Sequence, residues 1–525
     1  MTLLTRKSLI TEARLKGCAF SKASIEELER YLRAQRLDTN FKETVWLLCD
    51  KIKSANRTGS VSVDQLREAI DALNTNEQKY DLLFVIPANE TPKFVYDTTR
   101  NVFHKCTNKN LIVGGARDKA SVYRDRFELL LQRAKRYDLF VKPTFDMKQA
   151  QGKLEISTVS SLDGTNSGQT VTIMGMIYQK DDGNYVMEDL NNSVPVNLEN
   201  VKYTPGLFVE SAFIVAQGQF ADGVYHLSGV GMPPAETRQK SLAAISHNLD
   251  FFGMAEHKGK SEDESHHNTL FVVLADIFLN DPKVIVRLRA LFGAISASED
   301  PSCVHFLLVG NFMEVPFNYG DCSNFTQFSQ SERMKYTQGF DKLADVISEF
   351  PGLATKAHFT VMPGPHDPTI GGFVLPQPPI PNIFTTNLRR KVTNVTATTN
   401  PCRIRFFTQE IVFFRDDIYR KMRRHCLPAL PPQASEESYN HLVKTLVDQA
   451  HLSPVPITVT PIYWAQDHAL RLFPLPDLVV TCDASESWET EYMECPFLNP
   501  GSFTKNNTFL MYHPHTRKHQ FQQMR

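Results

Sequence analysis

The sequence predicts a multidomain protein of α+β and α/β class: a helical unit, then a small β-barrel, then a layered α/β domain. Three observations predict it. Apolar residues recur at helical spacing near the start, short strands with regular turn signals fill the middle, and continuous apolar runs alternate with amphipathic stretches from Leu270 onward. The length of 525 residues exceeds one ordinary domain of about 100–200 residues. A hydrophobic share of 42% with 22% charged residues excludes wholesale disorder. Lys+Arg 57 against Asp+Glu 58 gives a formal net charge of -1, without the basic excess that gripping phosphate backbones demands. DNA contact is therefore expected to be local and weak. No run of 18 apolar residues predicts a membrane-spanning helix. The start, Met1 to Lys7, lacks the apolar core of a secretory signal, and nine cysteines without a CxxC pair predict reduced thiols inside the cell.

Residues 1–75 read as the helical unit. Ser24-Ile25-Glu26-Glu27 has the form of a capping box, in which a hydroxyl and a carboxylate satisfy the first free amides of a helix. Ile25, Leu28 and Leu32 follow at helical spacing, as do Leu66, Ile70 and Leu73. Residues 76–160 read as a connecting segment with strands at Leu82–Ile86 and Phe94–Tyr96. Its helix through Arg124, Arg126, Arg133, Lys135 and Arg136 is expected to present a solvated or docking face. Residues 161–256 hold the barrel. Its five strands are 171–177, 184–189, 194–198, 207–209 with 213–215, and 224–227. Asp182-Gly183 and Asp222-Gly223 mark tight turns between them, so a Greek-key barrel of the OB type is expected.

Residues 257–525 read as the α/β domain. Gly253, Gly259, Lys260 and Ser261 imitate a phosphate loop, but the spacing is wrong and acids follow directly. Phe271–Leu274 is a strand buried on both faces, and Asp281-Pro282 caps a helix ending near Gly293. Strands His305–Val309 and His358–Met362 flank a helix striped by Phe340, Leu343, Ala344, Ile347 and Phe350. Further strands are expected at 404–407, 411–414, 457–460 and 478–480. Pro376–Pro381 is expected to form a stiff surface ridge, and Arg415, Arg420, Lys421, Arg423 and Arg424 a solvated basic face or a DNA contact.

Open α/β sheets bind ligands beyond the carboxyl ends of their strands. Those ends carry Asp276, Gly310-Asn311 and Gly364-Pro365-His366-Asp367. The order of these turns resembles calcineurin-like metallophosphoesterases, whose α/β sandwich holds two metals about 4 Å apart through acids and imidazoles. The sequence departs from that pattern where it matters. Phe278 stands at a histidine position, Asn311 at the bridging aspartate, and Pro365 at an asparagine ligand. Glu314 is expected to stand in for a second acid, and His366 and Asp367 remain. After Val480 comes Thr481-Cys482-Asp483 in place of paired histidines, while His513 and His515 are expected in a surface tail. No intact metal centre, cofactor or catalytic residue is expected. A weak single metal on Asp276, His366 and Asp367 stays open, and with it a metal-dependent phosphodiesterase or nuclease as the alternative function.

The strings Leu274–Leu279, Val309–Phe312, Pro363–Pro368, Thr398–Ile404, Thr408–Ile411, Pro461–Ala465 and Leu498–Phe503 are long and idiosyncratic. With the order of domains, they resemble the B-subunit family of eukaryotic replicative DNA polymerases, its epsilon branch before alpha or delta. The resemblance implies a non-catalytic accessory subunit in the nucleus. It implies that barrel and inactive phosphoesterase domain hold the zinc-bearing C-terminal region of the epsilon catalytic subunit. It implies that residues 1–75, similar to an AAA+ lid, tether the polymerase to GINS and the replicative helicase, with the small histone-fold subunits associated indirectly.

Overall fold

The computed structural model describes residues 6–16, 18–34, parts of 41–70, 83–106, 111–140, 153–164, 168–181, 183–245, 268–317, 330–369, 373–427 and 438–524. They fall into two compact units, Met1–Phe84 and Val85–Arg525. In the first unit, α1 (Arg6–Leu15) and α2 (Lys22–Ala34) accompany a short parallel pairing of β1 (Ala19–Phe20) with β2 (Ser60–Val61). Leu9, Leu28, Leu32, Phe41, Leu48 and Leu66 form its core. The expected cap at Ser24 is corrected: α2 starts three residues earlier, and the Ser21 hydroxyl accepts the Ser24 N–H at 3.1 Å. Ser24 is buried, and its hydroxyl donates to the Val61 carbonyl at 2.8 Å, so tertiary pairing claims it. A reciprocal capping box exists instead at Ser62 and Gln65, with hydrogen bonds of 3.0 and 3.3 Å. Leu73 lies outside the described residues.

Strand β3 (Leu83–Pro87) spans the boundary, and the second unit continues with the hairpin β4 (Phe94–Asp97) and β5 (Val102–Lys105), and helix α3 (Ala116–Ala134). The expectation of a solvated basic face on α3 is corrected for two of its arginines. Arg126 and Arg133 are buried; the Arg133 guanidinium donates to the carbonyls of Val447, Asp448 and Pro233. Arg124 and Lys135 are exposed.

The barrel contains β6 (Ile156–Ser157), β7 (Thr170–Asp181), β8 (Asn184–Glu188), β9 (Ser193–Asn197), β10 (Lys202–Tyr203), β11 (Phe213–Ala221) and β12 (Val224–Gly231). Neighbours run β10-β12-β11-β7-β8-β9, and parallel pairing of β9 with β12 closes the circuit. Asp222 and Gly223 at φ +51° and +78° give the left-handed turn that the β11–β12 hairpin needs. Along β7, Ile173 and Ile177 point into the barrel, whereas Met174 and Met176 face outward and pack with Phe127 of α3 and Phe213. Burial on both faces explains its unbroken apolar run. Leu207–Val209, expected as part of a strand, is instead a buried connection: Leu207 N–H donates to Thr445 Oγ1 at 2.8 Å, and Val209 makes an isolated bridge with Cys426.

Two six-stranded sheets make up the α/β part. The first contains β13 (Leu270–Ala275), β14 (Val304–Val309), β15 (His358–Met362), β16 (Asn394–Ala397), β22 (Thr508–His513) and β23 (Lys518–Gln523), in the order β16-β15-β14-β13-β22-β23. The second contains β17 (Cys402–Phe406), β18 (Gln409–Phe413), β19 (Leu478–Val480), β20 (Trp488–Tyr492) and β21 (Cys495–Asn499), in the order β20-β21-β19-β18-β17-β3. Helices α4 (Pro282–Ser298) and α5 (Gln330–Ser348) cover the first sheet, while α6 (Ile418–Arg424) and α7 (Ser438–Asp448) pack with the second. Leu270, Val272 and Leu274 face the helices, and Phe271 faces the other sheet, its ring 6.0 Å from that of Phe406. Each such buried side chain contributes about 1.5–3 kcal/mol. Asp281 caps α4 through the Lys283 N–H at 2.9 Å, as its sequence predicts.

Four expectations are corrected here. Helix α4 runs past Gly293 to Ser298, since Ile295 beyond the glycine is still buried in the core of the first sheet. Residues 457–460 form turns on the Pro456 carbonyl and no strand. Pro376, Gln377 and Ile380 of the proline-rich segment point inward, with only its other prolines half-exposed. His513–His515 belong to the β22–β23 hairpin, whose Pro514 carbonyl accepts from Gln409 at 2.7 Å. The glycines and Lys260 of the phosphate-loop imitation lie outside the described residues.

Candidate functional site

The strand ends that the sequence singles out converge on one buried cluster. Asp276 follows β13 with φ +54°, a left-handed conformation that short polar Asp tolerates. Its Oδ1 accepts the Asn311 N–H at 3.0 Å and the Asn311 side-chain amide at 3.2 Å. Asn311 Oδ1 in turn accepts the His366 N–H at 2.8 Å, so this uncharged amide clasps two strand ends together. Asp367 is fully engaged. Its Oδ1 accepts the Phe312 N–H at 2.8 Å and the Tyr336 hydroxyl at 2.9 Å, and its Oδ2 accepts the Gly364 N–H at 2.8 Å. Gly310 and Gly364 make this approach feasible: a Cβ on Gly310 would sit 1.9 Å from Asp367 Oδ2, and one on Gly364 would sit 2.5 Å from Asn311 Oδ1.

The remaining member is Arg415, 1% exposed, a residue whose basic neighbours in the sequence predict a solvated face. That expectation is corrected. Its Nε and Nη2 donate to Asp276 Oδ1 at 3.2 and 2.8 Å, Nε also reaches the Gly310 carbonyl at 3.1 Å, and Nη1 donates to Asp417 Oδ1 at 2.8 Å. Asn400 fixes its backbone from both sides, accepting the Arg415 N–H at 2.9 Å and donating to its carbonyl at 2.7 Å. Lys421 of the same basic stretch pairs with Asp416, which leaves Arg420, Arg423 and Arg424 exposed. A signal for Arg415 existed in the sequence: it directly follows the apolar run Ile411–Phe414, at the strand end where ligand-binding residues gather.

Electrostatics follow from this geometry. Burial opposes the charge on Arg415, but Asp276 and then Asp417 outweigh it and raise its pKa. Asp417 is burdened by burial yet held below its usual range by Arg415. Burial pushes Asp367 up to about 6, against its three hydrogen bonds. Burial and the nearby Asp417 push Asp483 up to about 6. His366 is lowered by burial and then by Arg415, and its Nδ1 finds no partner.

Of the other predicted positions, Phe278 is buried and brings no side-chain donor, and Pro365 is half-buried. Glu314, expected as the second acid, is exposed, its N–H on Asn280 at 3.4 Å. These residues do not fit a pair of divalent cations: Asp276 already holds a guanidinium, both Asp367 oxygens already accept hydrogen bonds, and the bridging position is an amide. Among the described residues, no three His, Cys, Asp or Glu side chains are grouped to hold a metal.

Residues 271–490 match the family model of the DNA polymerase alpha/epsilon B-subunit, and residues 116–234 match the OB-fold domain of DNA polymerase epsilon subunit 2-like proteins. DNA polymerase epsilon subunit 2 of Homo sapiens is 35% identical over 449 residues, covering 82% of this chain and 81% of its own. The chain belongs to the DNA polymerase epsilon subunit 2 family. The DNA polymerase epsilon B-subunit of Arabidopsis thaliana is likewise 35% identical, over 92% of both chains, and that of Schizosaccharomyces pombe is 30% identical over 86% of this chain and 77% of its own. Among solved structures, an archaeal phosphodiesterase aligns at 8% identity with 49% of this chain and 100% of its own, at a TM-score of 0.25, below that of a shared fold.

Proposed function

We propose that this protein is a non-catalytic accessory subunit of DNA polymerase epsilon, acting in the nucleus during chromosomal replication. Its barrel and α/β sandwich, an inactive phosphoesterase domain, form a scaffold for the C-terminal region of the catalytic subunit. The observation that carries the reading is identity of 35% along 82–92% of the chain with subunits of that name. Rigidity of the platform supports it. Helix α7 joins barrel to sandwich, with Gln449 just beyond it exchanging hydrogen bonds of 2.9 and 2.7 Å with the Phe213 backbone, and His441 and Thr445 accepting the N–H groups of Gly206 and Leu207. A surface held this way loses little conformational entropy on binding. Residues 1–75, which contain a core of their own, are the proposed link to GINS and the helicase. Arg420, Arg423 and Arg424 offer a local DNA contact, and the small histone-fold subunits associate through the catalytic chain.

A pull-down tests this division. The full chain should retain the C-terminal region of the catalytic subunit, and a variant lacking residues 1–75 should retain it equally while losing GINS. Failure of the full chain to bind the catalytic subunit, or loss of both partners on deletion, contradicts the reading.

A further inference from the structure

A buried cluster of carboxylates needs positive charge. In a metallophosphoesterase two divalent ions supply it; in this chain the donor set does not fit them. Asp276 and Asp417 converge instead on one guanidinium that is 1% exposed. Burying an arginine is costly unless its donors find acceptors and its charge is opposed. At Arg415 each of the three nitrogens has an acceptor, and two carboxylates oppose the charge. We infer that Arg415 is an internal cation that takes over the structural work of the divalent ions. It ties the end of β13 through Asp276 and the end of β14 through the Gly310 carbonyl to the β18–α6 connection through Asp417. The first two belong to one sheet and the third follows the other, so a single side chain clamps the sandwich at the place where a metal centre would clamp it. The guanidinium fork suits the task, because it reaches a carboxylate and a carbonyl at once in fixed geometry. Asn400 holds the clamp's backbone, and Gln377 holds Asn400, accepting from its amide at 2.8 Å.

The consequence is a fold whose strand ends need no metal while Arg415 is present, and which acquires a response to divalent ions when Arg415 is removed. Uncompensated Asp276 and Asp417 then gain from any cation that reaches them, and binding to the folded state alone raises stability.

Thermal unfolding of the full chain in EDTA and in MnCl2 tests this with wild type, Arg415→Met, Asp276→Asn and the double variant. Wild type should melt at the same temperature in both buffers. Arg415→Met should lose roughly 5 °C or more in EDTA and recover part of the loss in MnCl2. The double variant should be more stable in EDTA than Arg415→Met alone and should respond to manganese far less, because the buried charge is gone and Asp417, 38% exposed, is the one left unpaired. If Arg415→Met cannot be obtained folded, the double variant still decides: its folding supports the clamp, and its failure overturns it. A wild type stabilised by manganese, or an Arg415→Met variant rescued by neither manganese nor Asp276→Asn, also overturns it.

Discussion

Two buried arginine–carboxylate clusters in the second unit invite comparison. Around Arg415, two close acids share one guanidinium, and two further acids, Asp367 and Asp483, are pushed up to about 6. Around Asp467, which belongs to the turn Trp464–Leu470, cations are in better supply. Arg126 of α3 donates from its Nε at 3.0 Å, and Arg471 lies 3.5 Å from Asp467 and 3.2 Å from Asp125. Asp467 is held well below its ordinary range: burial opposes this, and Arg126 dominates the result. The first cluster occupies the ends of β13, β14 and β15, and the second is a buried network joining a helix to the sandwich. The difference lies in the balance of charge: acids outnumber the one arginine at the strand ends, whereas two arginines attend Asp467.

The comparison can be broken most forcefully by removing the cation from the balanced cluster. Arg126→Met should destabilise the second unit by about 3–5 kcal/mol, since it strands a buried carboxylate beside fewer cations. Urea denaturation of the full chain measures this, and manganese should give no relief, in contrast to Arg415→Met. Relief at both sites would mean that neither is special.

Acid titration sharpens the contrast, because His451 and His468 of one cluster and Asp367 of the other respond with opposite signs. His451 is lowered to about 4 by burial and then by Arg126, although Asp467 lies 3.3 Å from its Nε2; His468 is lowered to about 4 by burial and then by Arg471. Their folded pKa values lie below the unfolded one, so the stability they contribute is present above pH 6.5 and lost as pH falls towards 4. Each should account for about 2 kcal/mol between pH 7 and 5. His451→Gln and His468→Gln should flatten that slope in unfolding free energies measured by denaturant across the range. At the other cluster Asp367 has a raised folded value, so its contribution is full below the unfolded pKa of 3.8 and lost as pH rises through about 6. Wild type should therefore lose about 2 kcal/mol relative to Asp367→Asn between pH 4 and 7. A rising difference would reverse the assignment.

The smallest effect lies outside both clusters. Ser62→Ala removes the capping box of the first unit and should cost about 1 kcal/mol there, read by the fluorescence of Trp46. The transition of the second unit should stay in place.

Much of this architecture was legible in the residues, for reasons that differ between elements. Strands such as β13 and β14 announce themselves because burial on both faces demands unbroken apolar runs. Asp276, Asn311 and Asp367 were legible because strand ends in open sheets gather functional groups. Arg126 and Arg133 were not, and the strand-end position of Arg415 was outweighed by its basic neighbours. A charged residue in a basic stretch reads as solvated, and only the fold reveals which acid or carbonyl meets it at depth. Ser24 failed for the same reason: a hydroxyl that fits a local cap was claimed by the Val61 carbonyl of β2. Leu207–Val209 looked like a strand because it is apolar, yet the Leu207 amide pairs with a side chain of α7 and no ladder. Local pattern marks burial well, but it cannot say with whom a buried polar group is paired.

The most direct test of the central claim is elemental analysis of the purified full chain after equilibration with manganese, alongside a phosphodiesterase assay in the same buffer. The account predicts no stoichiometric metal and no hydrolysis above buffer, because Arg415 already neutralises Asp276. Two manganese ions per chain, with hydrolysis abolished by Asp276→Ala, would contradict it.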